Sequence, residues 1–186
     1  MISAVLPCFT VNEELKNMAL DCAKRIRDQV DELIITEDSD VYWPELQQIS
    51  DIYMLHPRLG YLKNCNLGWR VASGDFVLHI NSDALYLEGK LQDLCVNGIG
   101  IPQCIETGNE WHTSTAMSGF FMVPKSVYQR LGGWDEKSTP DGTWSPELFD
   151  RYRIGGVEFI GVRMVRISHP RAGATSYRSL GDYKGR

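Results

Sequence analysis

Basic residues do not dominate this chain: 19 Lys and Arg stand against 24 Asp and Glu, a net charge of −5. That balance excludes a broad nucleic-acid or anionic-membrane surface, although it leaves room for a local basic patch. Long hydrophobic runs are also missing, and no stretch approaches the roughly 20 apolar residues needed to cross a bilayer. Cysteines are few and scattered. Cys8, Cys22, Cys65, Cys95 and Cys104 are odd in number and never spaced Cys-x-x-Cys, which excludes a disulfide framework and a zinc site of the usual spacing. Cys22 and Cys65 fall on apolar helix faces and read as core thiols of a reducing cytoplasm. Met1 to Phe9 lacks a basic start and is too short for a signal peptide. Repeats, low-complexity tracts and linkers are absent as well, so one compact domain over all 186 residues is expected.

What is present suits such a domain. Apolar content of 43% and charged content of 23% are ordinary for a globular protein. A chain of this size can bury about 70% of its unfolded surface. Its first half alternates strands and helices. Ile2 to Leu6 is an apolar strand closed by Pro7, and Leu15, Met18, Ala19, Cys22, Ile26 and Val30 then recur at helical spacing, with Asn12 or Thr10 as N-cap. Glu32 to Thr36, Asp51 to Leu55 and Phe76 to Ile80 read as further strands, and Asn64 to Ser73 as a helix in which Gly68 allows close packing. Near-continuous apolar strands separated by helices predict an α/β fold with a mainly parallel sheet covered on both faces.

Ligands of such sheets sit outside the carboxyl ends of the strands. Pro7 to Phe9, Glu37 to Asp40 and Asn81 to Asp83 all fall at those ends. The last is the most informative: a buried strand running into Asn81-Ser82-Asp83 delivers a carboxylate to the rim, where a divalent metal and a nucleoside diphosphate can meet it.

The second half is patterned differently. Ser118 to Val123 reads as a strand, Lys125 to Leu131 as a short helix and Gly132 to Glu136 as a tight turn. Ser145 and Pro146 mark the start of another helix at Glu147. Val157 to Val162 and Met164 to Ile167 read as two strands, and Asn97 to Thr115 as a loop over the site. Residues 1–96 and 97–170 thus make two differently patterned halves. The remaining 171–186 form a basic tail, in which Arg171, Arg178, Lys184 and Arg186 outnumber Asp182. That tail is either a solvated end or a phosphate contact.

Taken in order, these segments resemble the family 2 glycosyltransferases, whose fold is the Rossmann-like GT-A fold. The resemblance rests on Pro7-Cys8-Phe9, Glu37-Asp38-Ser39, Asn66-Leu67-Gly68, Gly74-Asp75-Phe76, Asn81-Ser82-Asp83, Ser118-Gly119-Phe120-Phe121 and Gly132-Gly133-Trp134-Asp135-Glu136. Each piece is unspecific alone; order and spacing carry the signal. The resemblance implies transfer of a sugar from a nucleotide-diphosphate donor, with UDP-sugars favoured, to an acceptor hydroxyl, with inversion. The family's Asp-x-Asp motif stands here as Asn81-Ser82-Asp83, on the donor side, so that Asp83 would hold Mn²⁺ or Mg²⁺ while the uncharged amide of Asn81 would either ligate the metal more weakly or bond the donor ribose. His169, in Ser168-His169-Pro170, would be the second metal ligand. His79, inside a strand, reads as structural.

By the same resemblance, Glu37 and Asp38 would contact the donor nucleoside, with Pro7, Phe9, Asn66 and Ser82 also on the donor side. Glu147 would be the acceptor-side general base, with Asp150 and Asp141 as alternatives. Trp134, Asp135 and Trp144 would receive the acceptor. That acceptor could be a glycan, a protein or a modified nucleic acid, and oligomeric state stays open. Two other readings remain. One is a nucleotidyltransferase, whose Gly-rich basic loop Pro7 to Asn12 lacks; the other is an inactive nucleotide- or carbohydrate-binding module.

Overall fold

The first strand is buried along its whole length, and the rest of the fold is arranged around it. A computed structural model of the chain describes residues 1–105, 119–137 and 147–169. In chain order they form β1 (Ile2–Cys8), α1 (Glu13–Ile26), β2 (Glu32–Glu37), α2 (Pro44–Ile49), β3 (Ile52–Leu55), α3 (Tyr61–Val71) and β4 (Phe76–Ile80). There follow β5 (Leu85–Glu88), β6 (Ile99–Cys104), β7 (Phe120–Pro124), α4 (Lys125–Leu131), α5 (Glu147–Ile154) and β8 (Phe159–Ser168). All eight strands join one sheet in the order β3-β2-β1-β4-β7-β6-β8-β5.

Strands β3, β2, β1 and β4 run parallel. Their side chains alternate between two cores. Ala4, Leu6, Leu33, Ile35, Leu78 and Ile80 face one, with Ala19, Cys22, Ala23 and Ile26 of α1. Val5, Ile34 and Val77 face the other, with Leu62, Cys65 and Trp69 of α3 and Leu148, Phe149 and Tyr152 of α5. Burial on both faces is why these strands read as unbroken apolar runs. Each large side chain fully buried this way contributes about 1.5–3 kcal/mol.

Two local devices set the helices. Asn12 caps α1 by accepting a hydrogen bond from Leu15 N at 2.9 Å, with Glu13 and Glu14 in the first turn and Lys24 and Arg25 in the last, matching the helix dipole. Helix α3 lies so close to the sheet that a Cβ on Gly68 would come 2.3 Å from Val5 Cγ1. A larger residue there would overpack the core at a cost of about 1–3 kcal/mol.

Beyond β4 the sheet, mainly parallel as expected, becomes mixed. Strand β7 pairs antiparallel with β4 and β6, while β8 runs parallel to β6 and antiparallel to β5. Residues 99–104, expected to be loop, form β6. Gly100 and Pro102 obscured it, and both have physical reasons to be there. A Cβ on Gly100 would meet Leu94 O at 2.1 Å, and the β6–β8 register shifts just after Pro102, the sort of irregularity that admits a proline in a strand. The two strands expected in 157–167 are one, because Arg163 and Met164 face outward without interrupting the backbone. Val30 lies past the end of α1, which closes through a 3₁₀ turn over Arg27–Gln29.

Candidate functional site

At the carboxyl end of β4 the chain turns sharply. Asn81 N donates to Gly119 O at 2.7 Å, and Ala84 N donates back to Asn81 O at 3.0 Å. This turn buries Ser82 and leaves Asp83 partly open to solvent. His169 arrives from the other half of the chain, one residue beyond β8. Its Nε2 lies 3.0 Å from Asp83 Oδ1. The imidazole is enclosed, whereas the Asp83 side chain keeps 12% of its surface in solvent. Gly119 makes the enclosure possible: a Cβ there would lie 2.5 Å from His169 Cε1 and 2.8 Å from Nδ1.

Behind the turn runs a buried polar chain. Tyr61, the first residue of α3, donates its hydroxyl hydrogen to Asn81 Oδ1 at 2.6 Å. The same hydroxyl lies 3.1 Å from His79 Nε2. His79 stands among Trp69, Phe121 and Trp134, with ring centroids 5.9, 5.1 and 5.6 Å away. Burial there pushes its pKa down to about 3, so the ring is neutral. Cys22 Sγ donates to Ala84 O at 3.2 Å, and burial pushes its thiol well up, which makes it a structural thiol rather than a ligand.

The end of β2 is held from within. Glu37 accepts from Thr10 N and Ser39 N, both at 2.9 Å, and from Thr10 Oγ1. Asp38 accepts from Leu59 N and from Gly60 N, the latter at 3.0 Å. Both carboxylates are fully buried. They tie β1, β2 and the approach to α3 into one rim. Along that approach Arg58 adopts a left-handed φ of 62° and pairs with exposed Asp40 at 2.8 Å.

Solved structures share this arrangement of sheet and helices. A mannosyltransferase from Pyrobaculum calidifontis, crystallised with GDP-Man and Mn²⁺, superposes with a TM-score of 0.67 at 15% identity over 94% of this chain and 58% of its own. GalNAc-T7 with UDP, GalNAc and Mn²⁺ gives 0.69 at 12% identity over 91% and 43%. The catalytic domain of Drosophila β1,4-galactosyltransferase 7, in complex with xylobiose, gives 0.58 at 15% identity over 100% and 80%. This chain has the GT-A fold. It spans less than two thirds of the mannosyltransferase and less than half of GalNAc-T7. No family model and no curated protein sequence matches it.

Within the GT-A frame, the structure sorts the residues expected at the site. Asp83 and His169 meet, and Asn81, Asp38 and Glu37 lie at the strand ends that flank them. Pro7 is buried inside β1, and Phe9 is 8% exposed just past its end. Asn66 is not a donor contact. Its amide is committed to the turn after α4, donating to Trp134 O at 2.8 Å and Glu136 Oε1 at 2.9 Å and accepting from Trp134 N at 2.8 Å. Trp134 is not an acceptor platform either, because at 3% exposure its ring is core, edge-on to Phe149 of α5 at 5.9 Å. Asp135 accepts from Lys137 N at 3.0 Å within that turn. Trp144, Asp141 and the tail from Pro170 lie outside the described residues.

Helix α5 packs Leu148, Phe149 and Tyr152 inward and leaves Glu147 and Asp150 exposed. Asp150 pairs with Arg153 at 3.4 Å. Sequence reasoning missed two residues that shape the rim. Gly119 was visible only as part of Ser118-Gly119-Phe120, with no role attached. Tyr61 carried no local signal, since its partners lie 18 and 20 residues away. An open cavity of about 630 Å³, lined by Gly74, Phe76 and Lys125 among others, lies at the opposite end of β4 from the Asp83–His169 pair.

Proposed function

We propose that this chain is a metal-dependent glycosyltransferase that moves a sugar from a nucleotide-diphosphate donor, a UDP-sugar in the favoured case, onto an acceptor hydroxyl with inversion. One observation carries the reading: the rim carboxylate Asp83 and the imidazole His169, from opposite halves of the chain, come within 3.0 Å beside the ends of β1 and β2. Mixed oxygen and nitrogen donors suit Mn²⁺ better than Mg²⁺, which prefers oxygen alone. No group of three or more His, Cys, Asp or Glu gathers among the described residues. Asp83 and His169 would be two ligands of a cation whose other contacts diphosphate oxygens and water would supply. Bound there, the ion would offset the negative charge that builds on the departing nucleoside diphosphate. The named structures with GDP-Man and with UDP, each with Mn²⁺, support this reading through a shared fold.

The chain's own residues would divide the remaining work. Phe9 and the Asp38 corner would frame the nucleoside, with Asp38 acting mainly by holding the Leu59–Gly60 backbone in place. Glu147 would accept the proton of the attacking hydroxyl as the new glycosidic bond forms. It is preferred to Asp150 because it opens α5, the place where the resembled family carries its catalytic acid. Asp135 would border the acceptor, a glycan, a protein or a hydroxylated nucleic-acid base. A thermal-shift screen of nucleotide sugars, with and without Mn²⁺, tests donor and metal together. Stabilisation by one sugar nucleotide only with Mn²⁺, followed by its slow hydrolysis, is the expected result. No stabilisation by any member of the panel would overturn the proposal, and binding without turnover would favour a binding module.

A further inference from the structure

The polar chain behind the rim fixes which end of the Asn81 amide can meet a ligand. Every other polar group of Asn81 is already used. Its N–H donates to Gly119 O, its backbone carbonyl accepts from Ala84 N, and its Oδ1 accepts from the Tyr61 hydroxyl. The side-chain nitrogen has no hydrogen-bond partner among the described residues, and the residue is partly open to solvent.

The direction of this chain follows from proton counting. A tyrosine hydroxyl has one hydrogen. If it goes to Asn81 Oδ1, then His79 must carry its proton on Nε2 and donate to the Tyr61 oxygen. Reversing both bonds would flip the Asn81 amide and move the imidazole proton to Nδ1. That atom is buried and has no partner. The polar groups of the rings around it, Trp69 Nε1 and Trp134 Nε1, are likewise buried without partners, and both are donors. An N–H at Nδ1 would add one more orphaned buried donor, whereas on Nε2 the proton has the Tyr61 oxygen as acceptor. The cage around His79 thus selects the tautomer, the tautomer orients Tyr61, and Tyr61 orients Asn81.

We infer that Tyr61 is a positioning residue that holds Asn81 with its carbonyl inward and its NH₂ toward the site, so that Asn81 donates a hydrogen bond to an oxygen of the donor's nucleoside diphosphate instead of binding the metal. This inference rests on the glycosyltransferase reading. It explains why an amide is suited to this position: its NH₂ can donate to a phosphate oxygen, whereas a carboxylate there could only accept and would face the diphosphate with like charge. Asn81 is then an inverted contact rather than a weakened acid.

Calorimetry with UDP and GDP, each with and without Mn²⁺, tests this on the full chain, alongside titration with Mn²⁺ alone. Asn81→Asp should weaken the nucleoside diphosphate that the native chain binds by about 10-fold or more, including without metal, and should not tighten Mn²⁺ binding. Tyr61→Phe should weaken the nucleotide by about 3–10-fold and leave the Mn²⁺ affinity unchanged. Nitrogen NMR of His79 gives a readout independent of ligand, with the Nε2–H tautomer expected. Equal or tighter nucleotide binding by Asn81→Asp, tighter Mn²⁺ binding, or an Nδ1–H tautomer would each overturn the inference. Failure of the native chain to bind either nucleotide would instead remove the function on which it rests.

Discussion

Asp83 Oδ1 and His169 Nε2 lie 3.0 Å apart although 86 residues separate them in sequence. The contact joins the end of a parallel strand to the residue after the last strand, and it exists only because the sheet continues through β7, β6 and β8. The mixed second half of the sheet is thus the device that delivers the imidazole to the rim. Three expectations follow for the metal.

Asp83→Asn should abolish Mn²⁺-dependent binding of the donor while leaving the fold intact. The amide still accepts from the imidazole and is seated at the rim rather than in either core. His169→Ala should weaken Mn²⁺ by about 10–100-fold, the range for one contributor among several. Calorimetry with Mn²⁺ and sugar nucleotide measures both, and unchanged affinities would return the pair to a plain hydrogen bond.

A subtler disturbance removes no ligand. Gly119→Ala places a methyl 2.5 Å from His169 Cε1, so the enclosed ring must shift from its present place beside Asp83. Mn²⁺ affinity should fall by roughly 10-fold with both candidate ligands still present. Lower stability with unchanged Mn²⁺ affinity would mean that the strain is relieved elsewhere.

How much of this was legible depends on what each residue touches. Strands β1, β2, β3 and β4 could be read because apolar side chains on both faces leave a continuous run. Strand direction has no such mark, so the antiparallel pairing of β7 stayed hidden, and Gly100 and Pro102 disguised β6 as a loop. Asp83 could be read because an acid closing an apolar strand is a local pattern. His169 became visible only through family resemblance. Trp134 and Asn66 were misread for one reason: an aromatic and an amide next to glycines look like ligand contacts, and only the packing of α5 and the Asn66–Trp134 bonds shows them to be internal. Tyr61 was invisible because its meaning lies in the His79 and Asn81 partners it meets across the fold.

The buried imidazole makes stability sensitive to acid. His79 titrates at about 3 when folded against 6.5 for the free group. Unfolded chains therefore take up its proton first, and stability is greatest above pH 6.5 and falls as pH drops toward 3. The slope is up to about 1.4 kcal/mol per pH unit for one proton. Between pH 6.5 and 5 few carboxylates contribute, so urea denaturation of the native chain against a His79 variant there reads this histidine. His79→Gln should flatten the profile in that window. Parallel slopes for native chain and variant would show that His79 does not set it.

Asp38→Ala should destabilise the chain by about 1–3 kcal/mol, because the Leu59 and Gly60 N–H groups lose their acceptor. If the corner also frames the nucleoside, the same variant raises the apparent donor constant more than it lowers turnover, since a contact remote from the reacting carbon acts alike in ground and transition states. Chemical denaturation and steady-state kinetics read the two effects separately. A collapse of turnover at intact donor affinity would place Asp38 in the chemistry itself.

The most demanding test concerns the proton that leaves the acceptor. Glu147 is exposed at the start of α5, and the helix is anchored by Leu148, Phe149 and Tyr152. Replacing Glu147 by Gln keeps the size of the side chain and those buried contacts, and removes only the ability to take a proton. Donor binding and thermal stability should therefore be unchanged, while sugar transfer falls by about 10²–10⁴-fold, the usual contribution of a positioned base. Hydrolysis of the donor by water should fall less, because it does not depend on an acceptor held against that helix. Near-normal transfer by the Gln variant would move the role to Asp150 or Asp141. If none of the three acids matters while donor and Mn²⁺ still bind, the rim is a binding site and not a catalytic one.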